Sequence, residues 1–220
     1  MNAFKFENVE DFDQHIASSI PTFEDLNYLV TRLINDFSQE KTYVVDIGCS
    51  TGRLLRSIPK RENVFYLGID KVMEPLPAEG VVFLTGDIFN TTIKEFKNKL
   101  HQASVVISLF TMQFLPLSKR NEFIQRVDNM LVDGGLFICA EKVHMNDRSI
   151  ESILQANLFE WKKQYFSDAE ILEKTISLKS VMFCQTEDIF HKELTKLGTV
   201  ENIWQWGQFV CKVAKKVKVT

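Results

Sequence analysis

Apolar and polar positions along the chain follow an alternating order of strands and helices. In residues 23–37 the apolar side chains recur every three or four positions, which predicts an amphipathic helix. Short apolar runs rich in β-branched residues come next, and they predict five strands, at residues 43–46, 64–70, 81–85, 104–109 and 136–141. Because helical patterns separate these runs, the five strands are expected to lie parallel in one sheet.

A helical pattern covers residues 118–132, and three more follow the fifth strand, at residues 150–165, 168–177 and 186–197. Ser118 is expected to cap the first of these helices, and Asp133-Gly134-Gly135 to end it. Ser167 and Glu170 have the spacing of a capping box. Two apolar runs, at residues 202–206 and 209–214, flank Gly207-Gln208 and predict a hairpin.

These elements predict an α/β fold with a Rossmann-like sheet of seven strands. The sheet is expected to be mostly parallel, with an antiparallel C-terminal hairpin. We expect one domain over residues 1–220, with a helical N-terminal arm at 1–40 and a helical insertion at 146–180. A length of 220 residues suits one well-buried domain and is short for two.

Composition narrows the classes of function. Hydrophobic residues make up 45% and charged residues 25% of the chain, with a net charge of −3, so no overall basic surface marks a nucleic-acid binder, although a local patch for RNA is compatible with this balance. No apolar run is long enough to cross a membrane. The four cysteines form no C-x-x-C pair and have no histidine at metal spacing. We therefore expect a cytoplasmic protein with reduced cysteines and no metal site.

The chemistry is expected where the first strand ends. Asp46, Gly48 and Gly52 form a D-x-G-x-x-x-G loop that leads into a helical pattern. Glycines allow a backbone to approach a ligand closely, and the carboxyl end of a parallel strand is where such sheets bind ligands. Asp70 ends the second strand about 20 residues beyond the first glycine, where an acid accepts hydrogen bonds from ribose hydroxyls. The alternative is a turn that merely needs two glycines.

The loop resembles the D-x-G-x-G-x-G motif of class I S-adenosylmethionine (SAM) dependent methyltransferases, with Ser50 at the middle glycine. A narrower resemblance links the chain to the carboxy-S-adenosylmethionine synthase (CmoA) family. Residues 110–115 read F-T-M-Q-F-L, where that family has F-T-x-Q-F-L, and residues 140–142 read A-E-K, where it has S-E-K. The match runs from about Phe12 to Ala214.

The resemblance implies a SAM site at the glycine loop, the ribose at Asp70 and Lys71, and the adenine at Asp87 and Ile88. The implied cofactor is SAM or S-adenosylhomocysteine, with carboxy-SAM as the alternative. Ten residues are expected to bind the cofactor: Gly48, Cys49, Ser50, Gly52, Asp70, Lys71, Asp87, Ile88, Phe23 and Leu109. Two of them, Phe23 and Leu109, stand where the family has a tyrosine and an asparagine.

A third departure concerns the carboxylate of carboxy-SAM. The family's arginine that holds it aligns with Thr175, which offers one neutral hydroxyl in place of a bidentate guanidinium. Lys174 is adjacent, but successive side chains on a helix point about 100° apart, so we expect Lys174 to face away from the site.

For the other candidate residues, the sequence is compatible with either a functional role or a purely structural one. Phe23, Phe110 and Phe114 are expected either to face the sulfonium of SAM or to be core. Gln113 lies among apolar residues and needs a polar partner. His144 follows the fifth strand, where it is either a general base or a loop histidine without a partner acid.

Three functions remain open, and no catalytic residue is assigned. The first is a SAM-dependent methyltransferase with an unknown small-molecule or RNA acceptor. The second is a carboxy-SAM synthase that uses SAM and prephenate in tRNA wobble-uridine modification. The third is a non-catalytic SAM-binding partner protein. The resemblance also implies a homodimer, for which an aromatic face of residues 146–180 is the candidate surface.

Overall fold

A computed structural model describes residues 11–72, 75–89 and 102–217 of the chain. Its seven strands form one sheet in the order β3-β2-β1-β4-β5-β7-β6. The first five strands are parallel, and β7 runs antiparallel to both β5 and β6, which confirms the predicted architecture. The strands are β1 Tyr43–Ile47, β2 Phe65–Asp70, β3 Val81–Thr85, β4 Ala103–Leu109, β5 Leu131–Lys142, β6 Gly198–Trp206 and β7 Phe209–Lys216.

The described α-helices are α1 Phe12–Ala17, α2 Phe23–Phe37, α3 Arg53–Ser57, α4 Leu117–Met130, α5 Arg148–Lys162, α6 Asp168–Lys179 and α7 Glu187–Leu194. In the predicted capping box of α6, Ser167 Oγ accepts from the Glu170 N–H and Glu170 Oε2 accepts from the Ser167 N–H. The prediction for α7 was too long, because Leu194 ends the helix and Gly198 begins β6.

The boundaries predicted for α4 were wrong at both ends. The helix begins after Pro116, which is the N-cap, so Ser118 makes no cap. It ends at Met130 because Leu131 already pairs with Ala103 of β4. A shift in the β4–β5 register follows that pair, and the two glycines expected to end the helix lie within β5.

Alternate residues along each strand pack into two cores on opposite faces of the sheet. Val45 and Val106 belong to the core beneath α4 and α7, whereas Val44 and Val105 belong to the core beneath α2 and α3. This division follows from the two-residue repeat of a strand. All four cysteines are free thiols. Among the described residues, no helix is long and apolar enough to cross a membrane.

Candidate active site

A cavity of about 620 Å³ lies at the carboxyl ends of the parallel strands. Small-molecule sites typically measure about 300–1,000 Å³. Nine of the ten residues expected to bind the cofactor line this cavity: Phe23, Gly48, Cys49, Ser50, Asp70, Lys71, Asp87, Ile88 and Leu109. Gly52 does not line it. The fold therefore brings together residues that are far apart in the sequence.

The two glycines of the loop have different roles. Gly48 has a φ of +78°, and a Cβ there would lie 2.1 Å from Thr111 Oγ1, so only glycine fits. Gly52 has a φ of +75° and precedes α3 as its N-cap. A Cβ on Gly52 would meet the Phe83 ring at 2.4 Å, so Gly52 permits close packing beside the cavity.

Ser50 shows that the loop is suited to a polar ligand. Its backbone is left-handed, with a φ of 51°, which is uncommon for a residue other than glycine and often marks a functional site. Its hydroxyl is buried and has no hydrogen-bond partner within the described part of the chain. Buried polar atoms are nearly always hydrogen-bonded, so a ligand in the cavity with a polar group at this point fits the loop.

Acidic residues surround the loop. Asp70 Oδ2 accepts the Ser50 N–H at 2.8 Å, and its Oδ1 accepts the Val72 N–H at 2.9 Å. Each carboxylate oxygen can accept a second hydrogen bond, so Asp70 can also bind a ribose hydroxyl. Burial, together with the charge of Asp70, raises the pKa of Asp46 to about 7.

Asp87 is both a cavity residue and a turn residue. It lines the cavity, and its Oδ1 also accepts the Phe89 N–H at 2.9 Å, as a turn residue does. Its Oδ2 lies 3.2 Å from Lys71 Nζ, so the Lys71 charge is partly neutralised at the cavity rim.

Aromatic rings form another part of the wall. Phe23 and Phe110 have ring centroids 6.2 Å apart, and Phe110 meets Phe209 edge-on at 5.9 Å. Phe110 has a φ of 56°, an unusual backbone conformation for a bulky residue. All three rings, with Phe114, line the cavity, where aromatic faces stabilise a cation.

Helix α1 covers the cavity and is tied to the glycine loop through Asp13, a residue that the sequence did not single out. Asp13 Oδ1 accepts from the Thr51 hydroxyl at 2.5 Å, and Oδ2 pairs with Arg56 at 3.1 Å. Arg53 also donates to the Asp13 carbonyl, at 3.2 Å. The side chain and the backbone carbonyl of Asp13 therefore hold the short α1 beside the cavity.

Replacing Asp13 by asparagine is expected to weaken ligand binding in the cavity, measured with S-adenosylhomocysteine as the probe, about twofold to fivefold. The variant loses the charge that faces Arg56, and a partly exposed ion pair contributes up to about 1 kcal/mol. Isothermal titration calorimetry measures the change. Glu24→Gln, which removes an exposed partner of Arg53 that lies outside α1, is the control, and an equal loss in both variants would contradict a role specific to α1.

Lysines occupy a third part of the wall, where the sequence predicted none. Lys142, Lys162 and Lys174 all line the cavity. The expectation that Lys174 faces away was wrong, because the cavity lies on its side of α6. Thr175 is exposed, does not line the cavity, and donates its hydroxyl to the Ile171 carbonyl at 2.7 Å.

Gln113 and His144 both have polar partners in the structure that the sequence did not identify. Gln113 Oε1 accepts the Lys142 N–H at 2.8 Å, so the glutamine fixes the end of β5. His144 Nδ1 lies 2.8 Å from Glu151 Oε1, which corrects the expectation that it has no partner acid. His144 does not line the cavity, however, and is largely exposed. No group of three metal-ligating side chains occurs among the described residues.

Comparison with known proteins agrees with this geometry. The family model described as FtsJ-like methyltransferase matches residues 31–218. A carboxy-S-adenosyl-L-methionine synthase of Nitratiruptor sp. is 33% identical over 98% of this chain and 93% of its own length. The chain belongs to the class I methyltransferase superfamily, in the carboxy-SAM synthase family. A synthase of Campylobacter lari is 29% identical over 93% of the chain and 90% of its own length.

Solved structures share the fold of this chain. The CurJ carbon methyltransferase has a TM-score of 0.57 at 18% identity, and human N-acetylserotonin methyltransferase in complex with SAM has 0.58 at 14%. These matches cover 87% and 90% of this chain but 54% and 52% of the other chains, so the chain spans about half of each. The shared part is the Rossmann-like methyltransferase fold, and the chain is a methyltransferase-like or carboxy-SAM synthase-like enzyme.

Proposed function

We propose that the chain binds SAM in this cavity and forms carboxy-SAM with prephenate as the carboxylate donor. The observation that carries the proposal is that the cavity joins the glycine loop to the two segments that resemble the carboxy-SAM synthases. Residues 110–115 follow β4 and residues 140–142 end β5, and both segments contribute side chains to the lining of the same cavity. The near full-length match to named synthases supports this assignment.

The residues present suit SAM. Asp70 accepts hydrogen bonds from the ribose, and the buried Ser50 hydroxyl gains a partner at the loop. Asp87 and Ile88 would hold the adenine, and the rings of Phe23 and Phe110 would stabilise the sulfonium. SAM would supply a methyl carbon whose C–H bonds are weakened by the positively charged sulfur atom. In the proposed reaction this carbon loses a proton and gains the carboxyl that prephenate loses, and the hydroxyl that prephenate also loses leaves with that proton as water. The chain's own contribution is to orient both reactants and to exclude water beneath α1.

A second candidate is methyl transfer to a small-molecule or RNA acceptor. Thr175 favours it, because the family's arginine is absent there and the threonine hydroxyl is already bonded to the Ile171 carbonyl. An ordinary methyltransferase needs no cation at this position. It also needs no particular catalytic side chain, since alignment with the S–CH₃ bond suffices.

Mass spectrometry of the ligand in freshly purified, non-denatured protein tests the proposal, followed by incubation of the protein with SAM and prephenate. We expect carboxy-SAM to accumulate only when both reactants are present. Bound SAM or S-adenosylhomocysteine without carboxy-SAM formation would overturn the synthase and favour methyl transfer. SAM binding with no turnover of any acceptor would favour a non-catalytic partner protein, and no binding of SAM would overturn every one of these functions.

A further inference from the structure

Three amines from three different elements meet at the cavity. Lys142 is the last residue of β5, Lys162 is the last residue of α5, and Lys174 lies within α6. Each of the three side chains is partly buried. Buried charges are normally paired, so such a cluster needs an explanation.

Lys174 has hydrogen-bond partners inside the protein. Lys174 Nζ donates to Ser19 Oγ at 2.9 Å and contacts His15 Nε2. Lys142 Nζ lies 5.8 Å from the centre of the Phe209 ring. Within the described residues, neither Lys142 nor Lys162 forms an ion pair with a carboxylate, whereas the neighbouring Lys163 pairs with Glu160 and Asp168 on the outer surface.

Burial and mutual repulsion affect the protonation of the cluster. Burial and the charge of Lys142 lower the pKa of Lys162 to about 8. Burial and the charge of Lys162 lower the pKa of Lys174 to about 7. The pKa of His15 falls to about 4, from burial and the charges of both Lys174 and Lys162, so His15 is neutral near pH 7 and accepts a hydrogen bond from Lys174. An anion placed among the amines would relieve their repulsion.

We propose that Lys162 and Lys174, with Lys142 beside them, bind the reacting carboxylate and thereby replace the arginine that is absent at Thr175. The inference rests on the proposed function. Lys174 is on the cavity side of α6 and Thr175 is not, so the cation has moved by one position along the helix. Two ammonium groups offer charge-assisted hydrogen bonds to the two oxygens of one carboxylate.

The carboxylates that compete for this subsite come from two molecules: the acid co-substrate, and SAM through its methionine part. The methionine part also carries an ammonium group, which three neighbouring lysines would repel. A separate acid carries no such cation. The charge of the cluster therefore favours the carboxylate of the acid co-substrate. Measuring the binding of each ligand separately distinguishes the two carboxylate sources.

The test compares Lys162→Gln with Lys163→Gln, which removes the adjacent, outward-facing amine. With SAM and prephenate, Lys162→Gln is expected to raise the KM for prephenate at least tenfold while kcat changes less than threefold. The Kd for S-adenosylhomocysteine is expected to stay within twofold in both variants. Lys162→Arg keeps the charge and is expected to recover most of the lost affinity, and Lys163→Gln is expected to behave as the wild type.

Calorimetric titration of prephenate into the protein saturated with S-adenosylhomocysteine tests the subsite without turnover. Tighter binding by wild type than by Lys162→Gln, in a protein that makes no carboxy-SAM, would refute the proposed function and keep the subsite. Equal effects of Lys162→Gln and Lys163→Gln in an active enzyme would overturn the subsite alone. A loss of S-adenosylhomocysteine affinity in Lys162→Gln, with the prephenate affinity unchanged, would assign the lysines to SAM and also overturn it.

Discussion

Replacing Gly48 by alanine is expected to weaken SAM binding at least 100-fold and to lower the free energy of unfolding by about 2–6 kcal/mol. The added Cβ would lie 2.1 Å from Thr111 Oγ1 and 2.4 Å from its Cγ2. The φ of +78° also strains any residue other than glycine, at a cost of about 1–3 kcal/mol, and overpacking adds a similar amount. Any shift that relieves the overlap moves the loop that carries Ser50. Calorimetric titration with SAM and chemical denaturation measure the two effects.

Gly86 provides the matched control, because it lines the same cavity and an added Cβ would have no atom within 4 Å. Gly86→Ala is expected to change the free energy of unfolding by less than about 1 kcal/mol. Adding Thr111→Gly to the alanine variant of Gly48 removes the overlapping side chain and should restore part of the stability, while the backbone strain remains. If Gly48→Ala were as stable as Gly86→Ala, the close approach of Thr111 would not constrain the loop.

The strands and the glycine loop could be predicted because they depend on local pattern. Val44 and Val45 form an apolar run that an acid and a glycine terminate, and the carboxyl ends of parallel strands meet at one edge. That rule also placed Asp70 and Asp87 at the cavity. The resemblance to a known family supplied Phe23 and Leu109, which no local pattern marks.

The lysine cluster could not be predicted, because its members are separated by long stretches of chain. Lys142, Lys162 and Lys174 meet only after α5 and α6 fold over the end of β5. Helix geometry sets an angle of about 100° between the side chains of Lys174 and Thr175, but the sequence does not show which of the two faces the cavity. Helix rotation depends on tertiary packing, in which Ile171 is the buried residue of α6.

A buried ionic cluster behind the cavity is also invisible in the sequence. Arg120 of α4 is 1% exposed. Its guanidinium lies 3.7 Å from Glu141 and 3.6 Å from Glu193. It also donates to the Phe183 carbonyl at 2.5 Å and to Gln185 at 2.9 Å. Arg120 therefore joins the end of β5 to the segment that follows α6.

This cluster supports the site directly. The Phe183 N–H donates to the Gln113 carbonyl at 2.7 Å, and the Gln113 side chain accepts the Lys142 N–H. Met182, beside Phe183, lines the cavity. Burial raises the pKa of Glu141 to about 8, although the charge of Arg120 acts in the opposite direction. The positive charge of Arg120 thus stabilises the ionised form of Glu141, which burial disfavours.

Replacing Arg120 by methionine is expected to lower the free energy of unfolding by about 3–5 kcal/mol at pH 10, because it leaves a buried carboxylate without its cation. The loss should shrink toward pH 6, where Glu141 is protonated in both proteins because its folded pKa is about 8. A carboxyl whose folded pKa lies above its unfolded value of 4.5 stabilises the protein below pH 4.5 and loses this contribution as the pH rises through the folded pKa. Removing Arg120 raises the folded pKa of Glu141 further, so the deficit grows as the pH rises above about 8. Denaturation at pH 6 and pH 10 measures it.

Arg126→Met is the control, because Arg126 lies on the same helix and pairs with Glu122 at the surface, where an exposed pair is worth about 0–1 kcal/mol. Adding Glu141→Gln to the methionine variant of Arg120 removes the uncompensated charge and should recover part of the stability at pH 10 but little at pH 6. A loss that is equal at both pH values would mean that Arg120 acts through packing and through its bonds to Phe183 and Gln185. The dependence on pH therefore separates the charge of the arginine from its shape, which no single truncation can do.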